Sequence, residues 1–221
     1  FPDISDVTLR KDLQYLDDTK QAIRTHGGIK YIPSALNYIY RANVNQEQKQ
    51  EIASKAAKLI QPDNSIFISA GTTCAELARR LPVFPLKVCS DGICTISNIS
   101  TLPNISVELL GGDVDLNIMR VEGISVLNRL DALHFSMAFM GALNMNLDYG
   151  FAHNSALTVA ILEKVIAHSD KVVVLLDSTK ISHTFYPNTI TLSSVDIVVS
   201  DNRFPDDIVE KLRRKGIEVL I

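Results

Sequence analysis

Cysteine is scarce and unpatterned in this chain of 221 residues: Cys74, Cys89 and Cys94 are an odd number, without a CxxC pair or a ligand-spaced histidine. That argues against a disulfide framework and a zinc site, and the expectation is reduced core residues in a cytoplasmic protein. No apolar run approaches the ~18 residues of a membrane span, and the first residues lack the basic and apolar segments of a signal peptide. A soluble protein without membrane contact is expected. Neither sign of charge dominates. Lys and Arg total 22 against 25 Asp and Glu, a formal charge of -3 with 46% apolar residues, which excludes a disordered or polybasic chain. Repeats and low-complexity tracts are missing, and so are a Walker loop and a GxGxxG fingerprint, so no cofactor is implied. The chain starts at Phe1 rather than methionine and its first motif lies within five residues, so a preceding segment is expected.

What is present is a rhythm. Ile52, Ala56 and Ile60 recur every four residues on a helix from Gln46 that ends before Pro62. Short β-rich runs then alternate with helical patterns: 65–70, 87–90, 106–110, 135–141, 171–176, 196–200 and 217–221 as strands, with helices between most of them. This is the alternation of an α/β fold with an open, mainly parallel sheet flanked by helices. The run Val172 to Leu176 does not alternate in polarity, as expected for a strand covered on both faces. Residues 46–221 therefore read as one α/β domain. Residues 31–45, with Pro33, Tyr31, Tyr38 and Tyr40 before a polar patch, read as a connector, and residues 1–30 as a unit too poor in apolar mass to fold alone.

That first unit carries one amphipathic helix. On a wheel of about 100° per residue, Leu13 and Leu16 fall within about 40° of Leu9 and make a core seam. Val7, Lys11 and Gln14 point the other way, flanked by Thr8 and Arg10, a face suited to reading base edges, although an ordinary solvated helix has the same spacing. Ser5 suits the N-cap and Asp6 the first turn. The following stretch, Ala22 to Gly28, reads as a strand or hairpin that sets Arg24 and His26 beside a phosphate backbone, or simply as a turn.

In the larger domain, Gly71-Thr72-Thr73 sits where a strand gives way to a helix, a candidate phosphate cradle or merely a capped turn. Other strand ends supply Ser90-Asp91-Gly92, Gly111-Gly112, Gly141 and a segment ending at Lys180. In an open parallel sheet such loops surround one crevice, and Lys180 would add a cation to it.

Two sets of residues resemble one family. Ser5 to Leu13, Leu16 and Arg24-Thr25-His26-Gly27-Gly28 resemble the winged helix-turn-helix signature of the DeoR family of bacterial repressors. Lys49 with the Ile52-Ala53 helix, Gly71-Thr72-Thr73, Gly111-Gly112, Gly123, Phe139 to Gly141, Gly150 and Asp177-Ser178-Thr179-Lys180 resemble that family's sensor domain. Departures are Ser69-Ala70 in place of Asp-Ser, Ser90-Asp91 in place of Thr-Asn, and Leu143-Asn144-Met145-Asn146 in place of Asp-Gly-Ile-Asp. The resemblance implies a fold similar to ribose-5-phosphate isomerase and a partial winged helix-turn-helix before it. It also implies operator DNA as a partner, engaged only with the preceding segment present.

The expected function is a non-enzymatic transcriptional regulator, a repressor of sugar or related carbon metabolism, whose α/β domain binds a phosphorylated effector and assembles a homodimer or homotetramer. A phosphosugar isomerase is the enzyme alternative, but Leu143 and Asn144 offer no general base. A constitutive regulator with a degenerate pocket is the third reading.

Overall fold

The computed structural model describes residues 5–18, 22–25, 28–31, 34–99, 103–116, 118–182 and 186–221. The chain opens on helix α1 (Asp6–Asp18), capped by Ser5, whose Oγ accepts from the Thr8 amide at 3.2 Å. Strands β1 (Ala22–Thr25) and β2 (Gly28–Tyr31) pair antiparallel, with Arg24 opposite Ile29, so the stretch after α1 forms a hairpin. The segment expected to be a connector carries a helix, α2 (Ser34–Asn43), which leads through Asn45, in the left-handed conformation at φ 52, into α3 (Gln46–Ala57).

From α3 onward the alternation is regular. β3 (Ser65–Ile68), α4 (Thr72–Ala78), β4 (Leu86–Ser90), α5 (Ile93–Ser97) and β5 (Ile105–Leu109) come first. A hairpin of β6 (Asp113–Asp115) and β7 (Arg120–Glu122) precedes α6 (Ile124–Leu130) and β8 (Met137–Gly141). Two short strands, β9 (Asn144–Asn146) and β10 (Gly150–Ala152), lead to α7 (Ala156–Ala167) and β11 (Val172–Leu175). The chain finishes with β12 (Thr189–Ile190), β13 (Ile197–Val199), α8 (Asp206–Arg214) and β14 (Glu218–Leu220).

Seven strands form the expected parallel sheet, in the order β14-β13-β11-β8-β3-β4-β5. Successive side chains of a strand go to opposite faces, and the two cores divide accordingly. Ile66, Ile68, Phe139, Val173 and Leu175 join Ile52, Ala56 and Leu77 of α3 and α4 on one face. Phe67, Ala138, Met140, Val172 and Val174 join Leu130 of α6, Leu162 and Val165 of α7 and Leu212 of α8 on the other. Both faces of β11 are thus covered, which is why its sequence runs Val-Val-Val-Leu. A second sheet, β12-β10-β9, is antiparallel.

The strand order has one reversal. The chain leaves β3 outward through β4 and β5, then returns to place β8 on the other side of β3. The connections leaving the carboxyl ends of β3 and β8 therefore run to opposite faces, to α4 on one and α7 on the other, and in open α/β sheets that point opens the crevice where ligands bind. Cys74 and Cys89 are buried and Cys94 is half-buried, and all three are free. Among the described residues no helix is long and apolar enough to cross a membrane.

Candidate functional site

A cavity of about 140 Å³ lies at that reversal. The ends of β3, β8 and β11 form its floor through Ala70, Gly71, Gly141, Ala142, Leu175 and Leu176, with Thr72 and Thr73 at the start of α4. Gly71 is held at φ 147, a backbone state that L side chains rarely adopt, so the turn into α4 favours glycine. Of the loop residues expected from the sequence, Gly71, Thr72, Thr73, Gly141 and Lys180 line the cavity.

Five others do not. The hydroxyl of Ser90, fully buried, donates to the Ile68 carbonyl at 2.5 Å and accepts from the Gly92 amide at 2.9 Å, closing the turn after β4 on itself. Asp91 is equally buried and stands behind the wall. Gly111 and Gly112 shape the loop after β5: a Cβ on Gly112 would lie 2.4 Å from the Glu122 carbonyl oxygen, so this glycine permits close passage of two backbones. These are corrections to the expectation of one shared crevice, because in a sheet with a reversal only the loops beside it converge.

Asp91 nevertheless acts on the site. One carboxylate oxygen accepts from the Ala70 amide at 2.6 Å, and the other pairs with Arg120 Nε at 2.9 Å. Arg120 Nη2 donates to Ser69 Oγ at 2.7 Å. Burial pushes the Asp91 carboxyl up from its ordinary range while the Arg120 guanidinium pulls it down. The pair fixes both the backbone entering Gly71 and the guanidinium that lines the cavity.

Three further cations converge there. Lys180 comes from the short turn after β11, Arg41 from the end of α2 and Lys49 from α3. Lys49 is 6% exposed, and its ammonium donates to the carbonyls of Arg41 and Val44. Burial pulls it down to about 8. Asp177, 1% exposed, is the one carboxylate among the described lining residues, and it accepts from Asn45 Nδ2 at 3.2 Å. Four cations against Asp177 and Asp91 leave an excess of two positive charges, which complements the -1.5 to -2 of a phosphomonoester near pH 7. Among the described residues no group of His, Cys, Asp and Glu could hold a metal ion.

The turn from β10 into α7 adds neutral groups: His153, Asn154 and Thr158. His153 is 8% exposed, and its Nε2 is buried without a hydrogen-bond partner among the described residues. Leaving such a group unmade costs about 1–3 kcal/mol. Burial, assisted by Arg120, pulls the imidazole down to about 3, so it is neutral at pH 7.

Arg41, Asn45, Lys49, Arg120, His153, Asn154 and Thr158 were not assigned as site residues from the sequence. Lys49 had a signal: it precedes Ile52 by three positions and Ala56 by seven, which places a cation on the apolar stripe of α3. Arg120 reaches the site from a hairpin whose register only the folded chain defines.

In the amino-terminal unit Val7, Thr8, Arg10, Lys11 and Gln14 are exposed on α1, with Val7 at 64%. The Thr8 hydroxyl is 2.9 Å from that of Ser5, in the cap. Arg24 lies on β1, and His26 lies outside the described residues.

Residues 2–35 match the DeoR-like helix-turn-helix domain and residues 44–202 the DeoR C terminal sensor domain. The HTH-type transcriptional regulator GolR of Listeria innocua is 30% identical over 99% of this chain and 88% of its own length. The lactose phosphotransferase system repressor of Lactococcus lactis is 29% identical over 95% of this chain and 84% of its own. Among solved structures, the translation initiation factor eIF-2B of Pyrococcus horikoshii has the same fold, with a TM-score of 0.54 and 13% identity over 90% of this chain and 83% of that one.

Proposed function

The chain belongs to the DeoR family of DNA-binding transcriptional regulators rather than to a family of enzymes, and from that premise we propose that it is a cytoplasmic repressor of sugar or related carbon-metabolism genes. Its effector is a phosphorylated sugar or similar metabolite bound in the cavity at the sheet reversal, and it acts as a homodimer or homotetramer on paired operator half-sites. The observation that carries the reading is the excess of positive charge around Arg41, Lys49, Arg120 and Lys180, facing a cavity with the single carboxylate Asp177. Names among the relatives, such as the lactose phosphotransferase system repressor, support the sugar connection.

A route from effector to DNA follows from who builds the wall. The carbonyls of Arg41 and Val44, at the end of the helix coming from the DNA-binding unit, are held by Lys49, and Asn45 holds Asp177 and Thr179, both at 3.2 Å. A phosphate that draws on Lys49 competes for the group that fastens this helix. Effector and operator then influence one another through a shared joint.

The test is thermal unfolding of the full chain against a panel of pentose and hexose phosphates, the parent free sugars and inorganic phosphate. A ligand that binds only the native state at 100 times its Kd adds about 2.7 kcal/mol, which for a chain of this size is a Tm rise of roughly 5–10 °C. A sugar phosphate is expected to give that rise and its parent sugar none. Equal shifts from sugar and sugar phosphate, or no shift from any compound at millimolar concentration, would remove the phosphate-sensing reading.

A further inference from the structure

We propose that the imidazole of His153 reads the hydroxyl-bearing, uncharged end of the ligand, so that the cavity prefers a phosphorylated polyol or sugar over inorganic phosphate. This rests on the reading of the cavity as a phosphate-ester site and adds to it the residue that sets its selectivity.

The chain contains a comparison. His134 Nε2 lies 2.8 Å from an Asp170 carboxylate oxygen, and His168 Nδ1 lies 2.8 Å from the Leu133 carbonyl, so both have the partner an imidazole ordinarily finds. His153 is more buried than either, and its Nε2 has none among the described residues. Its position is nonetheless fixed: it follows β10 directly, and its backbone amide donates to the Asn188 carbonyl at 2.8 Å. A residue anchored by its backbone in the lining of a cavity, with a ring nitrogen left unpaired among the described residues, is set for a ligand rather than for the fold.

The chemistry of the group narrows the ligand. Burial and Arg120 keep the ring unprotonated at pH 7, so it holds one donor and one acceptor. A hydroxyl both donates and accepts, and matches it; a phosphate dianion only accepts, and is better served by Lys49, Lys180 and Arg41. Asn154 and Thr158, which also line the cavity from the start of α7, are neutral as well. The β10–α7 turn thus supplies uncharged hydrogen-bonding groups to a cavity whose cations come from α2, α3, β7 and the turn after β11.

The test is calorimetric titration of the full chain with inorganic phosphate and with a panel of pentose, hexose and hexitol phosphates, repeated for His153→Phe and His153→Gln. The measured quantity is the ratio of the affinity for the best ester to that for inorganic phosphate. His153→Phe is expected to lower this ratio 10- to 100-fold, and His153→Gln, which keeps a donor and an acceptor, to recover part of it. If His153→Phe does not fold, the glutamine variant alone carries the test and is expected to lower the ratio by a smaller factor. A ratio that stays the same in the folded variants, or two affinities that fall together, overturns the role of His153 and leaves the phosphate site standing. Wild-type protein that binds neither inorganic phosphate nor any ester overturns both.

Discussion

Lys49 sits where solvation and charge oppose each other. Its ammonium is nearly excluded from water, and it donates to two carbonyl oxygens, which stabilise a cation but do not neutralise it. Burial therefore holds it near 8, against 10.5 in the unfolded chain. Between those values the unfolded state binds more protons, so the unliganded protein gains stability as pH rises from about 8 to 10.5, while below 8 both states are protonated and the cost is constant. Ligand binding has the opposite sign. An anion favours the ammonium, so above pH 8 the complex must take up a proton, and affinity for a phosphate ester should fall by up to about tenfold per pH unit. Titrations at pH 7 and pH 9 at constant ionic strength measure this. Lys49→Met should bind more weakly at pH 7 and show a flatter profile; an equally steep profile in that variant would assign the proton to another group.

The elements differ in how far their residues announce them. β11 and α8 are legible because each satisfies one rule along its whole length: unbroken β-branched burial in the first, and in the second an apolar stripe of Ile208, Val209 and Leu212 between acidic and basic ends. β9, β10 and the β6–β7 hairpin have strands of three residues each, too short for any periodicity to declare itself, and their pairing partners define them. α2 was hidden because its polar and aromatic composition resembles a connector, although Tyr38 is buried. The site followed the same division. Its floor was visible as glycines and threonines at strand ends, but Gly112 looked the same and lies outside the cavity lining, where it lets two backbones pass closely. Arg120 arrives on β7, 51 positions from the Ser69 it contacts. That hairpin is fastened by the buried pair of Arg120 and Asp91, 4% and 0% exposed, and removing one partner of such a pair strands the other charge. Arg120→Met should therefore cost about 3–5 kcal/mol in denaturant unfolding. The double variant Arg120→Met with Asp91→Asn should cost clearly less than the sum of the two single changes. Additive costs would show that the pair does not hold the hairpin.

At the scale of the molecule, charge is divided by task. Residues 1–30 contain five basic and five acidic residues, and the remaining 17 against 20 account for the whole formal charge of -3. A mildly acidic total thus accompanies a DNA-binding unit in which Arg10 and Lys11 are exposed on α1. Residues 31–45 link the two units and end at Asn45, whose side chain bonds to Asp177 and Thr179 while its backbone turns the chain from α2 into α3. If this joint carries the signal, coupling has a fixed arithmetic: the factor by which effector changes operator affinity equals the factor by which operator changes effector affinity, typically 5- to 150-fold. Asn45→Ala removes both side-chain bonds and puts alanine where φ is 52, which costs roughly 1–2 kcal/mol in the left-handed state. Both factors should then shrink together toward one. Fluorescence anisotropy of a labelled operator, with and without the effector and at one salt concentration because phosphate contacts make affinity salt-dependent, gives the first factor. Calorimetry of the effector with and without operator gives the second. A variant that binds both ligands and keeps the wild-type factor would show that the signal reaches the DNA-binding helix by some path other than the joint at Asn45.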